Sequence, residues 1–476
     1  MILTCELDQP ARPFPHFWEH TVGSGHAPLA LRADWQAQLR RCHRELGFRY
    51  VRFHAVLSEE MGTVVCEDGQ LIYSFFNVDR IFDFLLSIGM RPFVEFSFMP
   101  KALSSGNKAV FSYHGNVTPP KSHRAWAELI RKLAAHWVRR YGATEVRKWF
   151  FEVWNEPNLK AFWTGSQREY FELYRSTATA LKRVDPFLKV GGPATAKNAW
   201  VSAFLEYCSR RRTPVDFVTT HHYPTDALGK PGADTRAQLR HAPPDIMRTD
   251  VESVRAQAGD LPVYYTEWNI SSNPRDSLHD EPFAAAYAVK IILSNLRPPD
   301  GYSFWTFSDI FNENYFPSVP FHGGFGLLNI HGIPKPVYRA FELLHRLGEQ
   351  SLIVAGGHST VEGWAFRKKK SVTVMVVNHA MPGRPIRKEQ VILRFTGAPA
   401  PLRAYRESID RDHANPRTLW ESLGKPEYLT PQQVERLERA SRVQRGRQSW
   451  TRARGETLCR VRLPAHSVTA VTCEFA

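Results

Sequence analysis

Eight short β-rich runs alternate with helical stretches between Phe14 and about Leu347, and that alternation leaves few folds open. The runs lie near Phe17–Val22, Arg49–His54, Arg91–Phe96, Trp149–Trp154, Leu188–Gly191, Asp216–His221, Val263–Glu267 and Tyr302–Phe307. Apolar residues at helical spacing mark Ser122–Tyr141 and Gln167–Val184, the second stopping before Asp185-Pro186. Eight strands with crossover helices close most simply into an α/β fold, a (β/α)8 TIM barrel over residues 14–347.

Past Arg346 the pattern changes to alternating runs at Val361–Phe366, Ser371–Val377, Gln390–Phe395, Ala404–Ser408, Leu458–Leu463 and Val468–Glu474. These read as a second domain, an antiparallel β-sandwich over 348–476, interrupted by a helical or irregular segment from Asn415 to Ala440. Residues 1–13 are placed to add an edge strand to it.

Two of the barrel runs end in carboxylates. Phe151–Leu159 reads Phe-Glu-Val-Trp-Asn-Glu-Pro-Asn-Leu, and Pro157 forbids the strand from continuing past Glu156. Val263–Ser271 runs Val-Tyr-Tyr-Thr into Glu267, Trp268 and Asn269 before a Ser-Asn-Pro turn. At about 31 residues per unit, strands four and seven should be roughly 94 positions apart. The actual separation is somewhat larger, an excess that fits the Gly/Pro-rich loop Pro224–Asp245. In such barrels the chemistry sits at the carboxyl ends of the strands, where both glutamates fall.

Two facing carboxyl groups are what glycosidic bond cleavage needs, one as proton donor and one as nucleophile or base. Alternation along the strands puts Arg52 with His54, His221 with Tyr223, and Tyr265 with Glu267. An arginine and a tyrosine near Glu267 would keep it ionised, whereas Glu156 beside Trp154 and Trp163 would hold its proton. The expected reaction is double displacement with retention: Glu267 attacks the anomeric carbon, Glu156 protonates the leaving oxygen and then deprotonates a water. Asn155 is placed to bond the sugar 2-hydroxyl. Two carboxylates suffice for these steps, so no metal and no organic cofactor is expected.

Composition narrows the partners. A chain of 476 residues with 43% hydrophobic and 12% aromatic content is not disordered, and its 13 Trp fit a site where flat apolar faces meet sugar rings. The formal charge of +15 and pI of about 9.6 would suit nucleic acid, an anionic membrane or an acidic polymer. No nucleic-acid motif accompanies the arginines between Arg436 and Arg460, which read as a solvated face, and Arg367–Lys370 reads as a hairpin turn. No run reaches about 18 apolar residues. The six cysteines form no C-x-x-C pair, and no basic n-region with an apolar run opens the chain, so a cytoplasmic protein without a membrane span is expected. Self-association into a homo-oligomer stays open. His16-Phe-Trp-Glu19-His20 matches the inverted zinc-protease pattern, but that pattern needs a helix, and the flanking prolines and Val22-Gly-Ser-Gly favour a strand.

Val-Trp-Asn-Glu-Pro-Asn-Leu, Tyr-Thr-Glu-Trp-Asn with Ser-Ser-Asn-Pro-Arg-Asp, and Phe-His-Gly-Gly-Phe-Gly-Leu-Leu-Asn at Phe321–Asn329 resemble glycoside hydrolase family 39, which holds β-xylosidases and α-L-iduronidases. The likeness continues through Asn415-Pro416, Leu419-Trp420 and Pro426–Leu429 and so covers nearly the whole chain. It implies Glu156 as acid/base and Glu267 as nucleophile. It also implies sugar contacts from His54, Asn155, His221, Tyr223 and Trp305, with Phe111 nearby. Among the family the chain is most similar to the bacterial β-xylosidases, whose strand-eight loop often reads Ile-Phe-Glu-Glu. Here Ile310-Phe311-Asn312-Glu313 replaces one of two sugar-facing acids by an amide that still donates and accepts hydrogen bonds.

The resemblance points to an exo-β-1,4-xylosidase acting on oligosaccharides. The same machinery would also serve an α-L-arabinoside, a β-glucoside, a uronide or an exopolysaccharide cut internally. A non-catalytic carbohydrate-binding protein is the rival from another class, against which the presence of both glutamates argues.

Overall fold

The computed structural model describes residues 1–225, 234–295 and 297–476; part of the expected Pro224–Asp245 loop therefore lies outside the described residues. Eight parallel strands close into a barrel in chain order: Thr21–His26, Tyr50–His54, Arg91–Phe96, Phe150–Val153, Lys189–Ala196, Phe217–His222, Val263–Trp268 and Gly301–Phe304. Helices Ala33–Leu46, Phe76–Ser87, His123–Tyr141, Gln167–Val184, Val201–Arg211, Ile246–Ala258, Pro282–Leu293 and Pro336–His345 follow them in turn. Local chemistry sets several of these ends. Ser166 and Glu169 form a reciprocal cap on the fourth helix, and Ser122 Oγ accepts from Ala125 N on the third.

The first strand differs from its expectation. Phe17–Glu19 is a single 3-10 turn, and the strand expected over Phe17–Val22 runs instead through Thr21–His26, taking in Gly23 and Gly25. The glycines are there for close approach: a Cβ on Gly23 would strike the Trp305 ring, and one on Gly25 would meet Phe311. In the His16–His20 pattern, His16 Nδ1 and His345 Nδ1 both bond Glu19 Oε1, at 2.7 and 2.8 Å. His20 instead stacks on Tyr50 at the barrel floor, so the two histidines face different surroundings.

The barrel interior is layered by the two-residue strand period. Phe93, Phe150, Phe217 and Tyr264 pack edge and face into an aromatic floor, with Tyr50 against it. Two residues further along their strands come Arg52, Glu95, Glu152, Thr219 and Thr266, all buried. The catalytic-end layer stands on this charged middle.

The second domain is a sandwich of two sheets. One orders Arg12–Pro13, Gln350–Leu352, Val361–Lys368, Ser371–Asn378, Ser467–Glu474, Arg403–Ile409 and Arg445–Arg447. The other orders Val354–Ala355, Ile2–Glu6, Glu389–Thr396, Glu456–Leu463 and Thr451–Ala453. Leu3, Cys5, Val374, Leu393, Val461 and Val471 meet between them. Residues 1–13 contribute to both sheets: Arg12–Pro13 is an edge strand of the first, and Ile2–Glu6 lies inside the second, parallel to Glu389–Thr396 and antiparallel to Val354–Ala355. The segment expected to be helical or irregular holds helices Pro416–Ser422 and Pro431–Ala440, whose Trp420 and Leu437 bury Phe321 and Ile333 of the barrel. Of Arg367–Lys370, Lys369 and Lys370 form the turn between two sandwich strands, whereas Arg367 and Lys368 end the strand before it.

Candidate active site

The fourth strand ends in a bend held from several sides. Trp154 (φ 72°) and Glu156 (φ 45°) both adopt left-handed backbone, a strained state for non-glycine residues. Glu156 N donates to Ala194 O at 2.7 Å, and Asn158 makes two bonds to the backbone of Ala196, so strand five holds the bend in place. Trp154 packs across Trp163 and donates its Nε1 to Phe162 O. The Asn-Glu-Pro-Asn run is thus a buckle between two neighbouring strand ends, and it turns the Glu156 carboxyl into the barrel mouth.

Glu267 reaches the same mouth by a different device. Tyr265 does not share its face as strict alternation demands. Tyr264 belongs to the floor and Thr266 points inward, while Tyr265 packs outside against His222, with ring centroids 4.1 Å apart. Register shifts against strands six and eight, between Thr220 and His221 and between Tyr265 and Trp268, rotate Glu267 inward. The tyrosine at Glu267 is Tyr223, whose hydroxyl donates to Oε2 at 2.9 Å, while Arg52 Nη1 donates to Oε1 at 2.7 Å. Burial and then the Glu267 and Glu156 charges hold the Tyr223 phenol far above its ordinary range, so it stays a donor.

One oxygen each of Glu156 and Glu267 and one nitrogen of His221 lie within 4.8 Å of one another. His221 Nδ1 is 2.9 Å from Glu156 Oε1 and 3.7 Å from Glu267 Oε2. Burial, reinforced by the Arg52 charge, holds His221 far below the usual imidazole range and therefore neutral.

Arg52 is the hub of the layer beneath. It is fully buried and donates to Glu152 (2.6 Å), Glu267 (2.7 Å) and Asn155 (3.0 Å), with Glu95 at 2.8 Å. Burial works against its charge, but Glu152, Glu95 and Glu267 outweigh that cost. His54 Nδ1 bonds Glu95 at 2.7 Å, leaving Nε2 3.6 Å from Glu267 and 3.7 Å from Glu313.

The cavity over the two glutamates is lined by His54, Phe111, Asn155, Tyr223, Trp305 and Glu313 among the residues singled out from sequence. Arg52 and His221 sit just beneath as supports. Asn312 does not line it: its backbone carbonyl accepts from Ser112 Oγ, and the neighbouring Asn314 lines the cavity instead. Leu159, Phe162, Lys197, Thr225 and Phe325 also line the wall and were not foreseen. Phe325 is carried by the Phe321–Asn329 run, where Lys335 Nζ bonds Gly324 O and pairs with Asp280 and Asp309, which accept from Gly323 N and Gly326 N. Glu95, Glu152 and Thr266 were also missed, although a lone charge inside an apolar strand is a visible signal.

Glu313 carries a prediction. Burial, then the charges of Glu267, Glu156 and Glu95, push its carboxyl far above the ordinary range, and among the described residues its Oε1 has no hydrogen-bond partner. The folded state prefers the neutral acid, so the stability it supports is complete below the unfolded carboxyl range and is lost as pH rises toward the folded value. Glu313→Gln should therefore melt with the native protein at about pH 4 and above it at about pH 7. Equal differences at both pH values would contradict the buried-acid account.

An eight-fold barrel with two glutamates converging from strands four and seven defines a barrel glycosidase. The sequence model for Glycosyl hydrolases family 39 matches residues 1–457, and the chain belongs to that family. It is 47% identical to a β-xylosidase of Caldicellulosiruptor saccharolyticus over 96% of this chain and 95% of that one. It is 39% identical to a β-xylosidase of Geobacillus stearothermophilus over 89% and 86% of the two chains. The solved structure of a monomeric β-xylosidase from Caulobacter crescentus CB15 superimposes with a TM-score of 0.88 at 34% identity, covering 100% of this chain and 99% of that one.

Proposed function

We propose that the chain is a retaining exo-β-1,4-xylosidase that releases terminal xylose from xylo-oligosaccharides, with Glu156 as acid/base and Glu267 as nucleophile. The observation that carries this reading is the approach of the two carboxylates, an oxygen of each within 4.8 Å. Inversion needs roughly 6.5–9.5 Å to admit a water between acid and base, whereas retention uses about 5–5.5 Å. The named relatives supply the glycone.

In the first step Glu267 bonds to the anomeric carbon as Glu156 gives its proton to the leaving oxygen. Arg52 and Tyr223 aim the attacking carboxylate. In the second, Glu156 takes a proton from water, which displaces Glu267 and regenerates both groups. The aromatic wall of Phe111 and Trp305 offers flat apolar faces to a sugar, and Asn155, held by Arg52 at the cavity wall, would bond its 2-hydroxyl. We read the exposed arginines of Arg445–Arg447 and Thr451–Ala453 as a solvated edge without nucleic-acid or membrane partners, and the unpaired cysteines as those of a cytoplasmic protein.

A panel of aryl glycosides tests the glycone: β-xyloside, α-L-arabinofuranoside, α-L-arabinopyranoside, β-glucoside and α-L-iduronide, with a double Glu→Ala variant as blank. Dominant β-xyloside hydrolysis is expected, and a different leading substrate would replace the glycone assignment. The acid/base role has its own signature. Glu156→Ala should lose about 10²–10⁴-fold on xylobiose but much less on a dinitrophenyl xyloside, and azide should restore its turnover. Equal losses on both substrates without azide rescue would remove Glu156 from that role.

A further inference from the structure

A chain of buried hydrogen bonds leads away from Glu156 and ends on the arginine that holds Glu267. His221 Nδ1 lies 2.9 Å from Glu156 Oε1, and His221 Nε2 lies 3.1 Å from Thr266 Oγ1. Thr266 Oγ1 donates to Glu152 Oε1 at 2.7 Å, and Arg52 Nε donates to Glu152 Oε2 at 2.6 Å. Glu152, Thr266, His221 and Arg52 are each no more than 1% exposed, so bulk water does not compete along the path.

The directions of these bonds are not free. Thr266 has one hydroxyl proton, and it goes to Glu152. Its oxygen is then an acceptor for His221, which places the imidazole proton on Nε2. A neutral imidazole protonated at Nε2 presents a lone pair at Nδ1, and a hydrogen bond from there to Glu156 needs a proton on Glu156. We propose that Glu152 is a positioning residue that, through Thr266, fixes the tautomer of His221 and so holds Glu156 as a proton donor. This deepens the acid/base reading given above and rests on it.

The same arrangement serves the second half-reaction. Once Glu156 has given up its proton, the Nδ1 lone pair faces a carboxylate and bonds it again only when Glu156 regains a proton, which favours abstraction from water. No atom is consumed: the proton lost to the leaving oxygen is replaced by the one taken from the attacking water. Other charges around the path come from every side. Glu95 and His54 lie beside Arg52, Glu267 is 3.7 Å from His221 Nδ1, and Glu313 and Lys197 share the cavity with Glu156. His222, next in the chain, points out of the barrel to Tyr302 and Asp250. Among the described residues, only the Glu152 branch acts on the His221 proton through an unbroken hydrogen-bond chain.

Glu152→Gln tests the assignment, because an amide cannot serve both neighbours as the carboxylate does. Arg52 Nε–H accepts nothing, so the amide oxygen must face it and the NH2 must face Thr266. Thr266 then donates to His221 Nε2, the imidazole proton moves to Nδ1, and the new bond favours ionised Glu156. The alkaline limb of kcat/KM on xylobiose should move down by about one pH unit, and the 15N shifts of His221 should report protonation at Nδ1 in place of Nε2. Thr266→Val, which leaves Nε2 without its acceptor, should move the limb in the same direction, and Thr266→Ser should return it to the native position; these serve if Glu152→Gln folds poorly. A limb unmoved in both Glu152→Gln and Thr266→Val, or a native Nε2–H tautomer in folded Glu152→Gln, overturns the proposal. Glu156→Ala separates this from the reading beneath it. If the limb persists in Glu156→Ala, the acid/base assignment itself fails; if it vanishes there but stays put in the other two variants, only the role of Glu152 fails.

Discussion

Glu267→Gln is expected to abolish turnover on every glycoside, by about 10⁴-fold or more, with no rescue by better leaving groups. The amide keeps the shape of the side chain, so a mainly structural role would spare most of the activity. It fails as a nucleophile because its oxygen carries no charge to give the anomeric carbon, and Arg52 and Tyr223 then have only one acceptor between them at that position. The sharper check uses Glu267→Ala with a dinitrophenyl β-xyloside and added azide. A small anion in the vacated space would attack the anomeric carbon from the face opposite the phenolate, which leaves, and turnover should reappear with an α-xylosyl azide as product. A folded Glu267→Ala variant that hydrolyses aryl xylosides at the native rate would end the assignment of nucleophile.

Arg52→Met should be the most damaging single change to the barrel that leaves both glutamates in place. Three buried carboxylates, Glu95, Glu152 and Glu267, lie within 2.8 Å of this one guanidinium. Removing one partner from a buried ionic cluster costs about 3–5 kcal/mol, because the remaining charges stay desolvated. The loss should also depend on pH in a definite sense. Burial opposes ionisation of Glu95, yet His54 and Arg52 outweigh it and hold that carboxyl below its usual range. A depressed folded value contributes stability that is present above the unfolded carboxyl range and is lost as pH falls through the folded value. The gap between native and Arg52→Met should therefore be widest near neutrality and should narrow on acidification, as read by urea midpoints at several pH values with a shared slope. A gap that stays constant with pH would mean that Arg52 acts by packing alone.

The parts of this site legible in the sequence are those that local chemistry dictates. Pro157 marks the end of strand four whatever surrounds it, and so places Glu156. The fold class followed from strand and helix periods in the same way, and the barrel with its sandwich is what the structure shows. What failed depends on partners distant in the chain. The first strand reads as Phe17–Val22, short of Gly23 and Gly25, because the rings of Trp305 and Phe311 that demand small residues there lie some 280 positions away. Tyr265 was placed beside Glu267 because alternation assumes an unbroken ladder, and the register shift that breaks it belongs to strands six and eight as much as to strand seven. Glu95 and Glu152 were passed over because each, read alone, is one acid in an apolar run, and only the closed barrel shows that both face Arg52.

The pairing of Ile2–Glu6 inside the second sheet has a consequence for how the chain is made. These residues are made before the barrel, yet their neighbours Glu389–Thr396 emerge only after the whole of it. That segment must therefore wait, unpaired, while some 350 residues are made behind it, and the sandwich core it completes through Leu3 and Cys5 cannot close until Glu389–Thr396 and Glu456–Leu463 have emerged. The barrel is in this sense an insertion carried between two pieces of one sheet. A cut after Leu7, or a bulky fusion that restrains Ile2–Glu6, should leave barrel formation untouched during translation and penalise the final docking step, so that the nascent chain passes its longest exposed interval with the catalytic domain already built.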